Sequence, residues 1–193
     1  VVQQDAEVSA VAEPLLHDIG LTNCRNALFE RLITLERQHQ RTDFVGTLRY
    51  QGRMHPAVAA FPSAMFYAEE QLQPVPLPHQ TAERLAYDLP SEDALDEALK
   101  QHRLLFIPSK KSHEVQASDK VNWHEAQLVA QVLRRIHRFY GARFDADKTV
   151  GVIVPYRNQI AMIRQAIEPL GVPALENISI DTVERYQGSQ RDV

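Results

Sequence analysis

The chain has 193 residues, 44% hydrophobic and 24% charged, which is the balance of an ordinary globular protein and enough for one good-sized domain or two small ones. A net charge of −4 and a pI near 6.1 exclude a globally basic nucleic-acid binder and confine any such site to a local patch. The single cysteine, Cys24, excludes an internal disulfide and fits a reducing cytoplasm. No apolar run approaches the roughly 18 residues of a membrane span, and the first residues lack the basic, then apolar, pattern of a signal peptide.

The chain opens on Val1-Val2-Gln3-Gln4, without a methionine. Residues 5–20 are mixed, and Pro14 breaks any long helix. Thr22 or Asn23 can cap a helix predicted from about Arg25 to Gln38. Its Leu28, Phe29, Leu32, Ile33 and Leu35 fall mostly on one face, expected to be core. Val45 to Tyr50 reads as a short strand. Pro56 suits the first turn of the next helix, which places Arg53 in a strand-to-helix loop. In a doubly wound sheet that end binds ligands, so Arg53 is either a functional residue or a solvated loop arginine. Residues 68–90 carry Pro74, Pro76, Pro78 and Pro90 among polar residues and read as an extended surface loop.

Ser91 to Gln101 reads as a short helix with Glu92 and Asp93 complementing its dipole. Arg103 to Pro108 reads as a buried strand. In the polar loop that follows, Lys110, Lys111 and Lys120 either meet phosphates or keep the loop soluble. Asn122 caps the best helix in the chain, Trp123 to Tyr140. Ala126, Val129, Ala130, Leu133, Ile136 and Tyr140 form its stripe, and Glu125 completes a start like a capping box. The eight histidines show no metal arrangement.

Gly141 ends that helix. Thr149 to Pro155 is a buried strand, and Tyr156-Arg157-Asn158-Gln159 leads into a helix with Ile160, Ile163, Ile167 and Leu170 on one face. An aromatic beside an Arg suits a stacked base and a phosphate; incidental surface polarity fits the same residues. Residues 177–183 alternate as a β-branched strand, followed by a polar turn around Gly188. Thr182, Gln187 and Gly188 offer a hydroxyl, an amide and open backbone N–H groups, which attract phosphates. A half-buried strand and an ordinary surface turn satisfy that spacing too. Strands near 45–50, 103–108, 149–154 and 177–183 alternate with helices, the α/β pattern of a mainly parallel sheet. The seven glycines contain no P-loop pattern, so these residues hold no standard grip on ATP phosphates.

Three stretches resemble one family, in one order. Gln51-Gly52-Arg53-Met54-His55-Pro56, followed by Phe61-Pro62-Ser63, resembles the Gln-Tyr-Arg-Met-His-Pro signature of superfamily 1 helicases, in the branch of RNA-surveillance and nuclease–helicase enzymes. Val152-Ile153-Val154-Pro155-Tyr156-Arg157-Asn158-Gln159 resembles their Thr-Pro-Tyr-x-x-Gln element. Thr182-Val183 through Tyr186-Gln187-Gly188 to Asp192-Val193 resembles their motif V. The chain departs at Gly52, where the family has an aromatic, and at Gln190, where it has Glu. Asn122 and Glu125-Ala126 also appear in these helicases, and Val1-Val2-Gln3-Gln4 resembles the tail of their motif III.

The resemblance implies an α/β, RecA-like P-loop NTPase fold with a mainly parallel sheet flanked by helices, lacking the P-loop itself. Residues 1–193 are then a single domain, the second RecA-like (C-terminal motor) domain, truncated before residue 1 and after residue 193. It implies an ATP-dependent 5′-to-3′ translocase on single-stranded DNA or RNA. ATP and Mg2+ would be held against the first RecA-like domain of the same chain, and this fragment alone would bind neither and be inactive. Arg53 is the implied catalytic residue, reaching the γ-phosphate. Gln51, Arg53, Gly188 and Gln190 are the implied ATP-binding residues. Pro155, Tyr156, Arg157, Thr182 and Gln187 are the implied nucleic-acid-binding residues. No metal ligand and no membrane partner are implied, and the location is cytoplasmic. Gly52 and Gln190 favour another reading, a degenerate RecA-like module that binds nucleic acid or a protein partner without catalysis.

Overall fold

The structure is a computed structural model that describes residues 10–85, 87, 89–109 and 120–193. Val1 to Gln4, Lys110 and Lys111 lie outside the described residues. The chain divides into two compact units, one ending at Gln80 and one beginning at Thr81.

The first unit holds α1 (Pro14–Asp18), α2 (Leu28–Gln38), β1 (Tyr50–Gln51), α3 (Pro56–Phe66) and β2 (Gln73–Pro74), with α4 (Pro78–Thr81) at its boundary. The α2 helix starts at Leu28 rather than Arg25. Asn23 Oδ1 accepts the Arg25 N–H at 2.8 Å, capping a turn of its own, and the helix N-cap is Ala27. The apolar face of α2 is not core: Leu28, Phe29 and Leu32 are exposed. The pattern decides which face is apolar, but burial needs an opposing element, and the β1–β2 ladder is too short to supply one.

That ladder is parallel, pairing Tyr50 with Gln73 and Gln51 with Pro74. The strand expected over Val45 to Tyr50 therefore shrinks to the two residues that find partners. Residues 68–90 likewise contain β2 and α4 rather than an uninterrupted loop. Pro74 has no N–H to donate, which suits the end of a ladder. The α3 helix begins as expected: Pro56 occupies its first turn, and His55 Nδ1 accepts the Ala57 N–H at 3.1 Å.

The second unit runs through α5 (Ala94–Gln101), α6 (Trp123–Tyr140), β3 (Gly151–Val154), α7 (Arg157–Ile167), α8 (Pro173–Glu176), β4 (Ser179–Thr182) and α9 (Val183–Tyr186). β3 and β4 pair in parallel, Gly151 with Ser179 through Val154 with Thr182, and α7 makes the crossover that parallel strands require. The core lies between this ladder and the helices. Ala126, Ala130, Leu133 and Ile136 come from α6, Val150 and Val154 from β3 and its approach, and Ile163 and Ile167 from α7. Leu175, Ile178 and Ile180 complete it. Each fully buried Leu or Ile contributes about 1.5–3 kcal/mol.

The stripe read from residues 123–140 is thus the face that is buried. Asn122 caps α6, its Oδ1 accepting the Glu125 N–H at 3.2 Å. Glu125 does not close a capping box, because its carboxylate accepts the Ser109 hydroxyl at 2.8 Å. β3 is only half-buried, with Ile153 54% exposed.

Arg103 to Pro108 forms no strand, and Leu104 and Phe106 are exposed. The segment does not join the β3–β4 ladder. Beside the start of β3, Val193 donates to Thr149 O at 2.8 Å and accepts from Gly151 N at 2.9 Å. The α/β class holds, with small parallel ladders in place of one broad sheet. Among the described residues no helix is long and apolar enough to cross a membrane.

Candidate nucleotide and nucleic-acid interface

In the first unit the loop after β1 is fixed from several sides. Gln51 Oε1 accepts the N–H groups of Arg53 at 3.1 Å and Met54 at 2.7 Å, and Gln51 Nε2 donates to Met54 O at 2.8 Å. Gln80, 3% exposed, donates to both Gln51 O and Met54 O at 2.9 Å. His79 Nε2 lies 2.9 Å from Gly52 O. The amide of Gln51 is therefore used up in shaping the loop. Arg53, by contrast, is exposed, and its guanidinium makes no hydrogen bond or ion pair among the described residues. The result is a rigid loop presenting one unspent guanidinium, the group suited to bidentate phosphate contact. A side chain at Gly52 would meet only Leu77 Cδ1, at 3.4 Å from its Cβ, so packing does not demand glycine there.

In the second unit the parallel register sets the carboxyl ends of β3 and β4 side by side. Pro155, Tyr156 and Arg157 leave β3 where Thr182 ends β4. This is the edge at which open α/β sheets bind ligands. Pro155, Tyr156 and Arg157 are exposed, Tyr156 by 49%. Thr182 is only 7% exposed, and its side chain bonds to the Glu184 carboxylate. The Glu184 backbone N–H, the Thr182 hydroxyl and the nearby Arg157 charge together hold that carboxyl below its ordinary range. Lys120 Nζ lies 5.6 Å from the centre of the Tyr156 ring.

Gln187 and Gly188 form an exposed turn after α9, with Gly188 at φ +88°, where glycine is favoured. Gln190 is exposed, and its carbonyl accepts from Arg191 Nη1 at 2.7 Å. Arg191 to Val193 then run beside Lys148 to Gly151, at the end of β3 opposite to Tyr156 and Thr182. Of the candidate residues in this unit, Pro155, Tyr156, Arg157 and Thr182 are brought together, while Gln190 leads away. Among the described residues, no group of three or more His, Cys, Asp or Glu side chains is placed to hold a metal ion.

A family model described as an AAA domain matches residues 24–193. The chain belongs to that family. The AAA domain is 30% identical over 171 residues to the "Regulator of nonsense transcripts 1 homolog" of Neurospora crassa, covering 86% of this chain and 14% of that protein. It is 26% identical to the "DNA polymerase alpha-associated DNA helicase A" of Saccharomyces cerevisiae, covering 89% and 25%. It is 28% identical to "Helicase sen1" of Schizosaccharomyces pombe, covering 76% and 8%. The chain spans a quarter or less of the length of these relatives. The resemblance to superfamily 1 helicases of the RNA-surveillance branch, read from three sequence stretches, is shown by these matches.

Two features of the AAA domain escape sequence reading. Gln159 is 5% exposed and bonds to both main-chain groups of Asn122. Its signal was available: Gln159, Ile163 and Ile167 are spaced by one helical turn, so the amide falls on the apolar stripe. Gly151 is the second. An added Cβ would overlap the Tyr186 hydroxyl and sit 2.7 Å from its Cζ. No local pattern announces a contact between residues so far apart in sequence.

Proposed function

We propose that this chain is the second RecA-like domain, the C-terminal motor domain, of a longer ATP-dependent helicase acting on single-stranded DNA or RNA. The observation that supports it best is the pairing of Val154 with Thr182. It sets two stretches with helicase wording at one ligand-binding edge. In this reading Tyr156 stacks on a base while Arg157 neutralises a phosphate. Thr182 and Gln187 hold the strand backbone, and Pro155 shapes the approach. Thr182 must exchange its bond to Glu184 for one to the strand.

On the nucleotide side, Arg53 reaches the γ-phosphate of ATP bound to a P-loop-bearing domain, and its charge stabilises the phosphoryl group as it transfers. Gln51 acts by holding the loop, and Gly188 and Gln190 line the nucleotide. Mg2+, which would neutralise phosphate charge when bound, is held by groups outside the described residues. Loss of the γ-phosphate releases Arg53, and the change in domain closure moves the strand.

The test is ATP turnover by the full-length protein, with and without single-stranded DNA and RNA. Arg53→Ala is expected to abolish turnover while single-strand binding survives. Unchanged turnover removes Arg53 from the mechanism. Gly52 favours a second reading, because packing at its Cβ position does not demand glycine and the chain carries no aromatic there. A folded full-length protein that binds strands without stimulated turnover would establish that reading, a RecA-like module that has kept binding and lost catalysis.

A further inference from the structure

We infer that Lys120 is a further nucleic-acid-contacting residue and that Gln159 is the positioning residue that places it there; this rests on the reading of the β3–β4 carboxyl edge as a single-strand track. Gln159 Oε1 accepts the Asn122 N–H at 2.8 Å, and Gln159 Nε2 donates to Asn122 O at 2.9 Å. A buried amide is spent on both polar groups of one residue 37 positions away in sequence. The bonds hold that residue as a neighbouring strand would.

The consequence is local to the track. Asn122 is the N-cap of α6, and Tyr156 is the N-cap of α7. The clamp brings these two helix starts together, so two positive dipole ends approach one edge. It also delivers Lys120, just upstream of Asn122, to the ring of Tyr156 at 5.6 Å. Lys120 is exposed and Tyr156 is half exposed. One aromatic ring therefore has a cation from a separate segment, Lys120, against it, and Arg157 follows it in sequence. Stacking with flanking positive charge is the arrangement that grips single strands without reading sequence. Arg157 lies near the Glu184 carboxylate, which offsets part of its charge. Lys120 brings a second cation to the same edge.

Salt dependence separates a phosphate contact from a structural role. Binding of the full-length protein to labelled oligothymidylate and oligouridylate would be followed by fluorescence anisotropy over a potassium chloride series. Lys120→Gln is expected to weaken binding to both strands and to reduce the slope of log K against log salt by about 0.7, the value for one phosphate on a single strand. Lys120→Arg is expected to restore the slope. Gln159→Leu is expected to lose the same slope with the lysine still present. Thermal melting reports whether that variant folds, and if it does not, the Lys120 pair decides. An unchanged slope in Lys120→Gln, with binding weakened by Tyr156→Ala, overturns this inference and leaves the track in place. Failure of the unaltered protein to bind either strand overturns both.

Discussion

A methyl group at Gly151 has nowhere to go, because Tyr186 packs directly over the Cα of that residue with its hydroxyl buried. Gly151→Ala must push back a ring that is 9% exposed. It is expected to cost about 1–3 kcal/mol, as overpacking does, read as a lower urea midpoint. Gly151→Ala in a Tyr186→Phe background should recover part of the loss, since the hydroxyl is the atom in the way. Gly52 behaves oppositely. Its Cβ position is open apart from ordinary contact with Leu77. Gly52→Tyr is expected to leave stability unchanged and to tighten nucleotide binding of the full-length protein about tenfold, the lower part of the ~1–3 kcal/mol that base stacking supplies. No gain in affinity would mean that the base does not lie over this loop. Both glycines are legible as letters. Only the folded neighbours tell the constrained one from the free one.

At the scale of elements, α5 is fastened to α6 by ion pairs. Asp96, with its side chain 1% exposed, faces Arg135 Nε at 3.0 Å and also pairs with Arg138, which in turn pairs with Glu92. Asp93, the N-cap of α5, pairs with Arg135. Burial pulls the Asp96 carboxyl up, but the Glu92 N–H and the Arg138 guanidinium outweigh it and leave the group below its ordinary range. A folded pKa below the unfolded value means that this contribution is fully present above the unfolded pKa of about 3.9 and is lost as pH falls through the folded one. Asp96→Asn is expected to cost about 1.5–3 kcal/mol near neutral pH, the range for hydrogen bonds to charged groups, since Arg135 and Arg138 keep partial exposure and their pairs with Asp93 and Glu92. It should also flatten the acid limb of the stability profile. Asp93 is lowered as well, first by the Asp96 N–H, so the flattening is partial. Urea midpoints from about pH 3 to about pH 7 measure both effects. The helix was legible in the sequence but not its start: Ser91 to Asp93 precede it, and Asp93, expected in the first turn, is its N-cap. The pairing across to Arg135 and Arg138, some 42 residues on, is not local.

For the whole molecule, the elements that sequence placed well are those whose signals lie within a few residues of one another. The bounds of α6 follow from Asn122, an unbroken stripe and Gly141. β3 and β4 follow from short β-branched runs between turns, but each strand is shorter than its run: Gly151–Val154 within 149–155, and Ser179–Thr182 within 177–183, where Val183 already starts α9. The loop at Arg53 follows from Pro56, and the turn at Gly188 from a polar cluster. The strand expected at 103–108 fails because that segment pairs with no strand of the ladder, and the apolar face of α2 fails as core because no element covers it. Composition limited the protein to a locally charged globular chain. Motif wording carried the helicase resemblance, because a motif is a local arrangement of side chains that travels with its residues. What tertiary structure alone decided is which local pieces meet. It set Tyr156 against Lys120 and beside Thr182, spent Gln51 and Gln159 on holding backbone, and left the Arg53 guanidinium available. Those outcomes depend on strand register and on the competition of buried polar groups for partners, and both are settled only when distant segments are packed together.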